Sequence, residues 1–118
     1  MKELSAAEIT KEALLILRSI GHTVWRQQNG SFGNRRNIAT PGIPDIIGYN
    51  RNGLFVGCEV KKIGDKFSKD QLDFLRALNK GGGGAYYAVQ EGSKVVIKNF
   101  EGDQTSIKKE TKSRQDLF

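Results

Sequence analysis

Two carboxylates and a lysine lie on two short β-rich runs near the middle of this 118-residue chain. Asp45 belongs to the run 43–49, and Glu59 and Lys61 belong to the run 54–62. Carboxylate oxygens are preferred ligands of hard divalent cations such as Mg²⁺ and Mn²⁺. A lysine beside such an ion can orient a water molecule or stabilise charge that develops on a phosphate. If the three side chains meet, they predict metal-assisted hydrolysis of a phosphate ester.

The segment 50–53, Asn-Arg-Asn-Gly, separates the two runs and has the composition of a tight turn. The pattern predicts a β-hairpin, and if its loop is the three-residue kind, Gly53 takes the left-handed conformation. Such a loop fixes the register so that Asp45 lies directly opposite Glu59, and strand alternation puts Lys61 on the same face. Two facing carboxylates, with Cβ atoms roughly 5 Å apart, repel each other unless a cation lies between them.

The run that carries Glu59 and Lys61 begins with an unbroken apolar and small segment, Leu-Phe-Val-Gly-Cys at 54–58. A strand of this kind is usually covered on both faces. Burying an acid and a lysine at its end is costly unless they have partners or a function. The alternative is that both side chains emerge into solvent where the strand leaves the core. We favour the functional interpretation.

The residues around these positions resemble the signature of a known nuclease family. Gly-Ile-Pro-Asp-Ile-Ile at 42–47, Glu-Val-Lys at 59–61 and the later pair Ser68 and Gln71 are similar to the VRR-NUC domain, the virus-type replication-repair nuclease of the PD-(D/E)XK superfamily. The resemblance covers roughly residues 8–89. It implies a restriction-endonuclease-like α/β fold, with a mixed β-sheet flanked by helices, and a role in DNA replication or repair.

The resemblance also implies a role for each residue of the site. Asp45, Glu59 and the backbone carbonyl of Val60 would hold Mg²⁺ or Mn²⁺, and Lys61 would act on the attacking water or on the phosphate. Gln71 would lie at the active site as a catalytic residue. Its place three residues after a serine also fits the capping box of a helix, and the sequence leaves both roles open.

In relatives of this family, a glutamate of the first helix often joins the metal site. Here Thr10 occupies the corresponding position. At about 100° per residue, Glu8 and Glu12 lie away from the apolar stripe of the predicted helix, whereas Glu3 lies near the stripe but a turn too early. The sequence therefore leaves open whether Glu3, Glu8 or Glu12 contributes a ligand.

Hydrophobic periodicity and turn residues predict the elements that would position the site. Ser5 and Glu8 fit a capping box at the start of the first helix. Their order is α-β-β-β-α-β-β in one domain, residues 1–107, followed by a polar tail, 108–118. The predicted helices span 6–20 and 69–80, and the predicted strands span 22–28, 43–49, 54–62, 85–90 and 94–100, with 105–107 as a further short edge strand. In the first strand we expect Trp25 to pack in the core rather than to serve as a base-stacking platform.

The net charge of +6 points to a polyanionic partner. Basic residues cluster in or beside the predicted site: Arg26, Arg35, Arg36, Lys61, Lys62, Lys66 and Lys69. Among them, Arg35, Arg36, Lys62 and Lys66 are predicted to contact DNA phosphates. The two arginines belong to a long polar loop, 29–41, which has no acidic residue.

The remaining composition narrows the class of protein. No apolar run approaches the roughly 20 residues that cross a bilayer, and the start does not resemble a signal peptide. We therefore expect no membrane association and an intracellular, cytoplasmic location. The single cysteine, Cys58, cannot form an internal disulfide, and we expect it to be a packed small side chain.

Together these features predict a Mg²⁺- or Mn²⁺-dependent endodeoxyribonuclease. Stand-alone domains of the family resemble the dimeric viral type, which is similar in organisation to Holliday-junction resolvases. This likeness implies a homodimer, branched DNA as the substrate, and a phage-encoded protein acting in the host cytoplasm. The alternatives are a less structure-selective DNA nuclease and a non-catalytic nucleic-acid-binding module, which would have no need for facing acids.

Overall fold

A computed structural model describes residues 2–27 and 41–102 of the chain. Two helices and five strands follow one another in the predicted order: α1 (Ala6–Ser19), β1 (Thr23–Arg26), β2 (Ile46–Tyr49), β3 (Phe55–Val60), α2 (Lys69–Lys80), β4 (Gly84–Glu91) and β5 (Lys94–Asn99). The strands β1, β2 and β3 are shorter than predicted. The edge strand predicted at 105–107 and the tail at 108–118 lie outside the described residues.

The five strands form one mixed sheet in which spatial order equals sequence order, β1-β2-β3-β4-β5. The pairs β1–β2, β2–β3 and β4–β5 are antiparallel, and β3–β4 is parallel. Since a parallel pair needs a long crossover connection, α2 lies between β3 and β4 in the chain. The mixed sheet that the sequence predicted is confirmed.

One helix covers each face of the sheet. On the first face, α1 buries Ile9, Ala13 and Leu17 against a cluster that includes Val56 and Cys58 of β3. On the second face, α2 buries Leu75 in a separate cluster with these residues: Phe67, Ala85, Tyr87, Val89 and Phe100. Because strand residues alternate between faces, Glu59, which neighbours Cys58, points to the α2 face.

Both helices begin with the capping box that the sequence indicated. The Ser5 hydroxyl accepts a hydrogen bond from the Glu8 backbone N–H at 3.1 Å, and the Glu8 carboxylate accepts from the Ser5 N–H at 2.9 Å. Ser68 and Gln71 make the same reciprocal pair at the start of α2. The two boxes fix where each helix starts, and the second one lies beside the site.

Two predictions about single residues have different outcomes. Cys58 is buried and free, and burial raises the pKa of its thiol, so its prediction as a packed side chain is confirmed. The prediction that Trp25 packs in the core is wrong, because its side chain is 45% exposed. Trp25 lies on the edge strand β1, whereas α2 packs on β3 and β4.

Candidate active site

The β2–β3 hairpin brings the two acids together as predicted. Gly53 has φ of 78°, and its backbone N–H donates to the Asn50 carbonyl at 2.9 Å. The three-residue loop sets a register in which Ile46 pairs with Cys58. One position further along the ladder, Asp45 therefore lies opposite Glu59. The Asp45 carboxylate also accepts a hydrogen bond from the Val60 N–H at 2.8 Å, which ties it to the strand that carries the second acid.

Close backbone packing positions the segment before Asp45. Pro44 is fully buried, and its ring lies against Gly57 of β3, where a Cβ atom would come within 2.7 Å of the proline Cγ. Gly42 has φ of 74°, and a Cβ there would lie 2.2 Å from the Asp70 carbonyl oxygen. The glycine of the sequence signature is thus the point where the chain touches the first turn of α2, and a side chain would push the two apart.

Glu59 is almost completely buried, with 1% of its surface exposed. Its Oε1 accepts a hydrogen bond from Gln71 Nε2 at 3.3 Å, and no hydrogen-bond partner of Oε2 is found among the residues that the structure describes. Burial, and next the neighbouring Asp45 carboxylate, raise the pKa of Glu59 to about 9. When no metal is bound, Glu59 therefore keeps its proton near neutral pH.

Lys61 is also buried, and its ammonium group is held by neutral acceptors. Nζ donates to Gln71 Oε1 at 2.8 Å and to the Lys66 carbonyl oxygen at 2.9 Å. It also lies 4.7 Å from the centre of the Phe67 ring, a cation–π contact. The alternative that Glu59 and Lys61 merely emerge into solvent is excluded, because both are buried and both have partners.

Gln71 caps α2 and also contacts both buried ionisable side chains, so its place fits both interpretations that the sequence left open. Its Oε1 accepts from the Ser68 backbone N–H at 2.9 Å, which completes the capping box, and the same oxygen accepts from Lys61 Nζ. Its Nε2 points the other way, to Glu59. The cap itself holds the amide between the two buried charged groups, so the two roles are compatible.

The oxygen donors suit a hard divalent cation. Asp45 is only partly buried, so the pair is open to one side, and a cation would satisfy the unpartnered oxygen of Glu59 and remove the repulsion between the acids. Within residues 2–27 and 41–102, no third histidine, cysteine or acid joins them to form a larger metal-binding cluster. Among the described side chains, Asp45 and Glu59 are therefore the candidate ligands of a divalent cation.

The acids of the first helix region have other partners. Glu3 forms an ion pair with Lys62 at 3.7 Å. Glu8 caps α1 and pairs with Lys2, and Glu12 is exposed on α1. At the position where the resemblance would place an acid, Thr10 donates a hydrogen bond to the Ala6 carbonyl. None of these three glutamates belongs to the group around Glu59.

Of the four basic residues predicted to contact DNA, Lys62 and Lys66 belong to the described part of the chain. Lys62 directly follows Lys61 and is half-buried, and Lys66 is exposed while its backbone carbonyl holds the Lys61 ammonium. Lys66 therefore lies beside the site, whereas the side chain of Lys62 pairs with Glu3 just before α1. Contact of either lysine with DNA stays a prediction. Arg35 and Arg36 lie outside the described residues, so their role stays a prediction.

Phe67 is a site residue that the sequence analysis missed. It is buried, contacts Tyr87 and Phe100 edge to face, and presents its ring to the Lys61 ammonium. A sequence signal for it does exist. Phe67 directly precedes the N-cap Ser68, and an apolar residue in this place commonly packs against the fourth helical residue, here Leu72, as a hydrophobic staple.

The fold is similar to that of a solved nuclease structure. The Holliday junction resolvase Hjc from the archaeal hyperthermophile Archaeoglobus fulgidus superimposes with a TM-score of 0.57 and 17% sequence identity, over 85% of this chain and 84% of that one. No protein-family model matches the sequence, and no curated protein matches it. Neither helix in the described ranges is long and apolar enough to span a membrane.

Proposed function

We propose that this protein is a Mg²⁺- or Mn²⁺-dependent endodeoxyribonuclease that cuts branched DNA in the manner of a Holliday junction resolvase. The observation that carries the proposal is the buried pair of Glu59 and Lys61, joined through Gln71, with the partly buried Asp45 opposite Glu59. Oε2 of Glu59 has no partner among the described residues. The fold similarity to Hjc, whose name states its substrate, supports the same activity.

The proposed metal ligands are the carboxylates of Asp45 and Glu59 and the backbone carbonyl of Val60. When bound, a divalent ion supplies Lewis-acid polarisation of the phosphate and makes water more acidic. The Val60 N–H fixes one Asp45 oxygen, and the other oxygen of that carboxylate would hold the ion. Gln71 fixes one oxygen of Glu59 in the same way, and leaves Oε2 as the donor.

Lys61 is proposed to stabilise the negative charge that develops on the phosphate or to position the attacking water. Its two hydrogen-bond acceptors, Gln71 Oε1 and the Lys66 carbonyl oxygen, are both neutral. These groups hold the ammonium in place without cancelling its charge. The Phe67 ring packs against one side of the ammonium group. A cation that is already oriented and partly desolvated is worth more in the transition state than a mobile one.

Binding to DNA is proposed to come from the basic residues around the site. Lys66 lies beside it, Lys62 directly follows Lys61 in the chain, and the arginines at 35 and 36 are expected to contact phosphates from their loop. Replacing Arg35 and Arg36 together by alanine should make the dependence of DNA affinity on salt shallower by about 1 to 2 in the log–log slope, since each phosphate contact contributes about 0.9. An unchanged slope would show that this loop does not touch the backbone.

A homodimer is proposed as the active form, because two symmetric cuts in a branched substrate need two sites. Sedimentation of the free protein and of its complex with a four-way junction would measure the number of chains. One chain per junction would contradict this part of the proposal.

The experiment that tests the activity compares wild type, Lys61→Ala and the matched control Lys11→Ala. Lys11 is exposed on α1, which covers the opposite face of the sheet, so its loss removes the same charge away from the site. Each protein is incubated with four-way junction, flap and duplex DNA, with Mg²⁺, Mn²⁺ or EDTA.

We expect wild type and Lys11→Ala to cut the junction only when a metal is present. Lys61→Ala should lose at least about 100-fold in rate and keep its DNA affinity in EDTA. Equal cutting of all three substrates would indicate a less structure-selective nuclease. If wild type binds DNA without cutting it, the protein is a non-catalytic nucleic-acid-binding module. If Lys61→Ala cuts DNA at the wild-type rate, Lys61 is not a catalytic residue.

A further inference from the structure

The chain reverses direction between β3 and α2 in a tight turn, residues 62–65. The Asp65 backbone N–H donates to the Lys62 carbonyl at 2.9 Å, which closes the turn, and Gly64 has φ of 93°. Positive φ at the third position of a β-turn favours glycine, as in type II turns. The residue types of this segment therefore fit the turn that the structure shows.

The Asp65 side chain binds the same turn a second time. Its Oδ2 accepts a hydrogen bond from the Lys62 backbone N–H at 2.7 Å. The N–H and the carbonyl of Lys62 are thus both bound to Asp65. Because Lys62 directly follows Lys61, this double contact fixes the backbone next to the residue whose ammonium group lies in the site.

The turn brings the Lys61 ammonium group to one of its two acceptors. Lys61 and Lys66 lie on either side of the turn, so the reversal makes them neighbours, and the Lys66 carbonyl oxygen accepts from Nζ at 2.9 Å. The other acceptor, Gln71 Oε1, is positioned by the cap of α2 instead. An ammonium group has three N–H donors. When these acceptors hold two of them, the third N–H can serve a phosphate oxygen or a water molecule.

The charge of Asp65 needs an explanation at this place. Asp65 is exposed and lies between Lys62 and Lys66 in the sequence, and both lysines are predicted to contact DNA phosphates. An acid here repels phosphate and weakens DNA binding. Within residues 2–27 and 41–102, no ion pair joins Asp65 to a basic side chain, and its carboxylate binds the backbone. The contact within the turn therefore accounts for an acid at this position.

We propose that Asp65 is a positioning residue for Lys61. By closing the turn 62–65, Asp65 holds the Lys66 carbonyl oxygen against the ammonium group and so keeps Lys61 in place for the cleavage step. This inference rests on the role of Lys61 in the proposed function. It adds a residue that acts on the cleavage rate through the backbone, without contact to the metal ligands.

The test measures the rate at which bound DNA is cut, with protein in excess over a four-way junction in Mg²⁺, and separately the DNA affinity in EDTA. Asp65→Ala should cut roughly 10- to 100-fold more slowly, because the Lys66 carbonyl is no longer held. Asp65→Asn should keep most of the rate, since its amide oxygen can accept the same bond from the Lys62 N–H. Neither variant should bind DNA more weakly than wild type. The control Asp73→Ala removes an exposed acid that pairs with Lys69 on α2 and should leave the rate unchanged.

Two glycines separate the positioning role from a general loss of stability. Gly64 and Gly82 both have φ of 93°, and no other described residue lies within 4 Å of a Cβ atom built at either position. Alanine strains the backbone at both without a clash, so Gly64→Ala and Gly82→Ala should lower the melting temperature by similar amounts. Only Gly64→Ala disturbs the turn, so only this variant should cut as slowly as Asp65→Ala. Gly64→Ala also carries the test if Asp65→Ala does not fold.

A double variant tests whether Asp65 acts through Lys61. In protein that already carries Lys61→Ala, adding Asp65→Ala should change the rate less than about twofold, because the contact that Asp65 supports is already lost.

Each contrary outcome has its own meaning. If Asp65→Ala and Gly64→Ala cut at the wild-type rate, or if Asp65→Ala slows cleavage equally with and without Lys61, the positioning role is rejected while the nuclease proposal stands. If Asp65→Asn cuts as slowly as Asp65→Ala, the charge matters rather than the turn, and the positioning role is again rejected. If wild type cuts no DNA with Mg²⁺ or Mn²⁺, the proposed function fails, and the positioning role fails with it.

Discussion

The buried acid Glu59 leads to a quantitative prediction about stability in the absence of metal. In the folded protein its pKa is raised to about 9, whereas an ordinary glutamate has a pKa of 4.5. Between these two values, the folded chain keeps a proton that the unfolded chain has lost. The free energy of unfolding therefore falls as pH rises through this window, by up to 1.36 kcal/mol per pH unit from this group.

Replacing Glu59 by glutamine removes this dependence, because an amide does not titrate. The side chain keeps its size and can still contact Gln71. Between pH 5.5 and pH 7.5 the wild type should lose about 2 to 3 kcal/mol relative to Glu59→Gln, which follows from two pH units at 1.36 kcal/mol each. The variant should thus be the more stable protein at pH 7.5 in EDTA, although it is expected to be inactive.

The measurement is urea unfolding of both proteins in EDTA at several pH values, with the difference between the two free energies plotted against pH. Subtracting the variant cancels the titrating groups that do not interact with Glu59. Addition of Mg²⁺ should then reverse the order at pH 7.5, because a ligand at 100 times its dissociation constant stabilises the native state by about 2.7 kcal/mol. Glu59→Gln should gain much less.

A flat difference between pH 5.5 and pH 7.5 would refute the reasoning, since Glu59 would then be ionised in the folded protein without metal. If the difference falls as predicted but Mg²⁺ and Mn²⁺ stabilise neither protein, the acid is buried as described and the metal site is rejected. The protonation of buried Glu59 and the metal site are therefore tested separately.

Two further predictions use pairs of equivalent positions as internal controls. Ser68→Ala and Ser5→Ala each remove one capping box, so each should lower the free energy of unfolding in urea by about 1 kcal/mol. Only Ser68→Ala should slow DNA cleavage. Equal cleavage rates for the two variants would contradict a role of the second cap in the site. Gly42→Ala and Gly53→Ala both force alanine into positive φ, at a cost of about 1 kcal/mol or more, but only Gly42→Ala also clashes with α2. Gly42→Ala should therefore lose a further 1 to 3 kcal/mol of unfolding free energy and most of its cleavage activity. If Gly53→Ala loses as much stability and activity, backbone strain alone explains the effect.

The local rules in the sequence were sufficient to predict the centre of the site. The turn at 50–53 determines the hairpin register, so Asp45 opposite Glu59 followed from the residue types of the loop alone. The capping boxes gave the starts of both helices. These predictions succeeded because each depends on residues that are close together in the chain.

Features that depend on tertiary contacts could not be predicted in the same way. Alternation along β1 shows that Trp25 and Val24 face opposite sides, but it does not show which side a helix covers. The contact of Gly42 with the first turn of α2 joins segments far apart in sequence. For Gln71, the sequence suggested two competing roles, because it does not show that the two ends of one amide meet different partners.

The parallel pairing of β3 with β4 also has a consequence for how the protein folds. The contacts that join the site residues connect positions only 10 to 15 apart in sequence, so their contact order is low. A β-hairpin forms within about 1–10 μs. Parallel pairing requires closure of the longer loop that contains α2, and non-local pairing is slow. We therefore expect the acids to become neighbours early, and Glu59 to lose contact with water only later, when α2 and β4 dock. Until then both carboxyl groups would remain in contact with water.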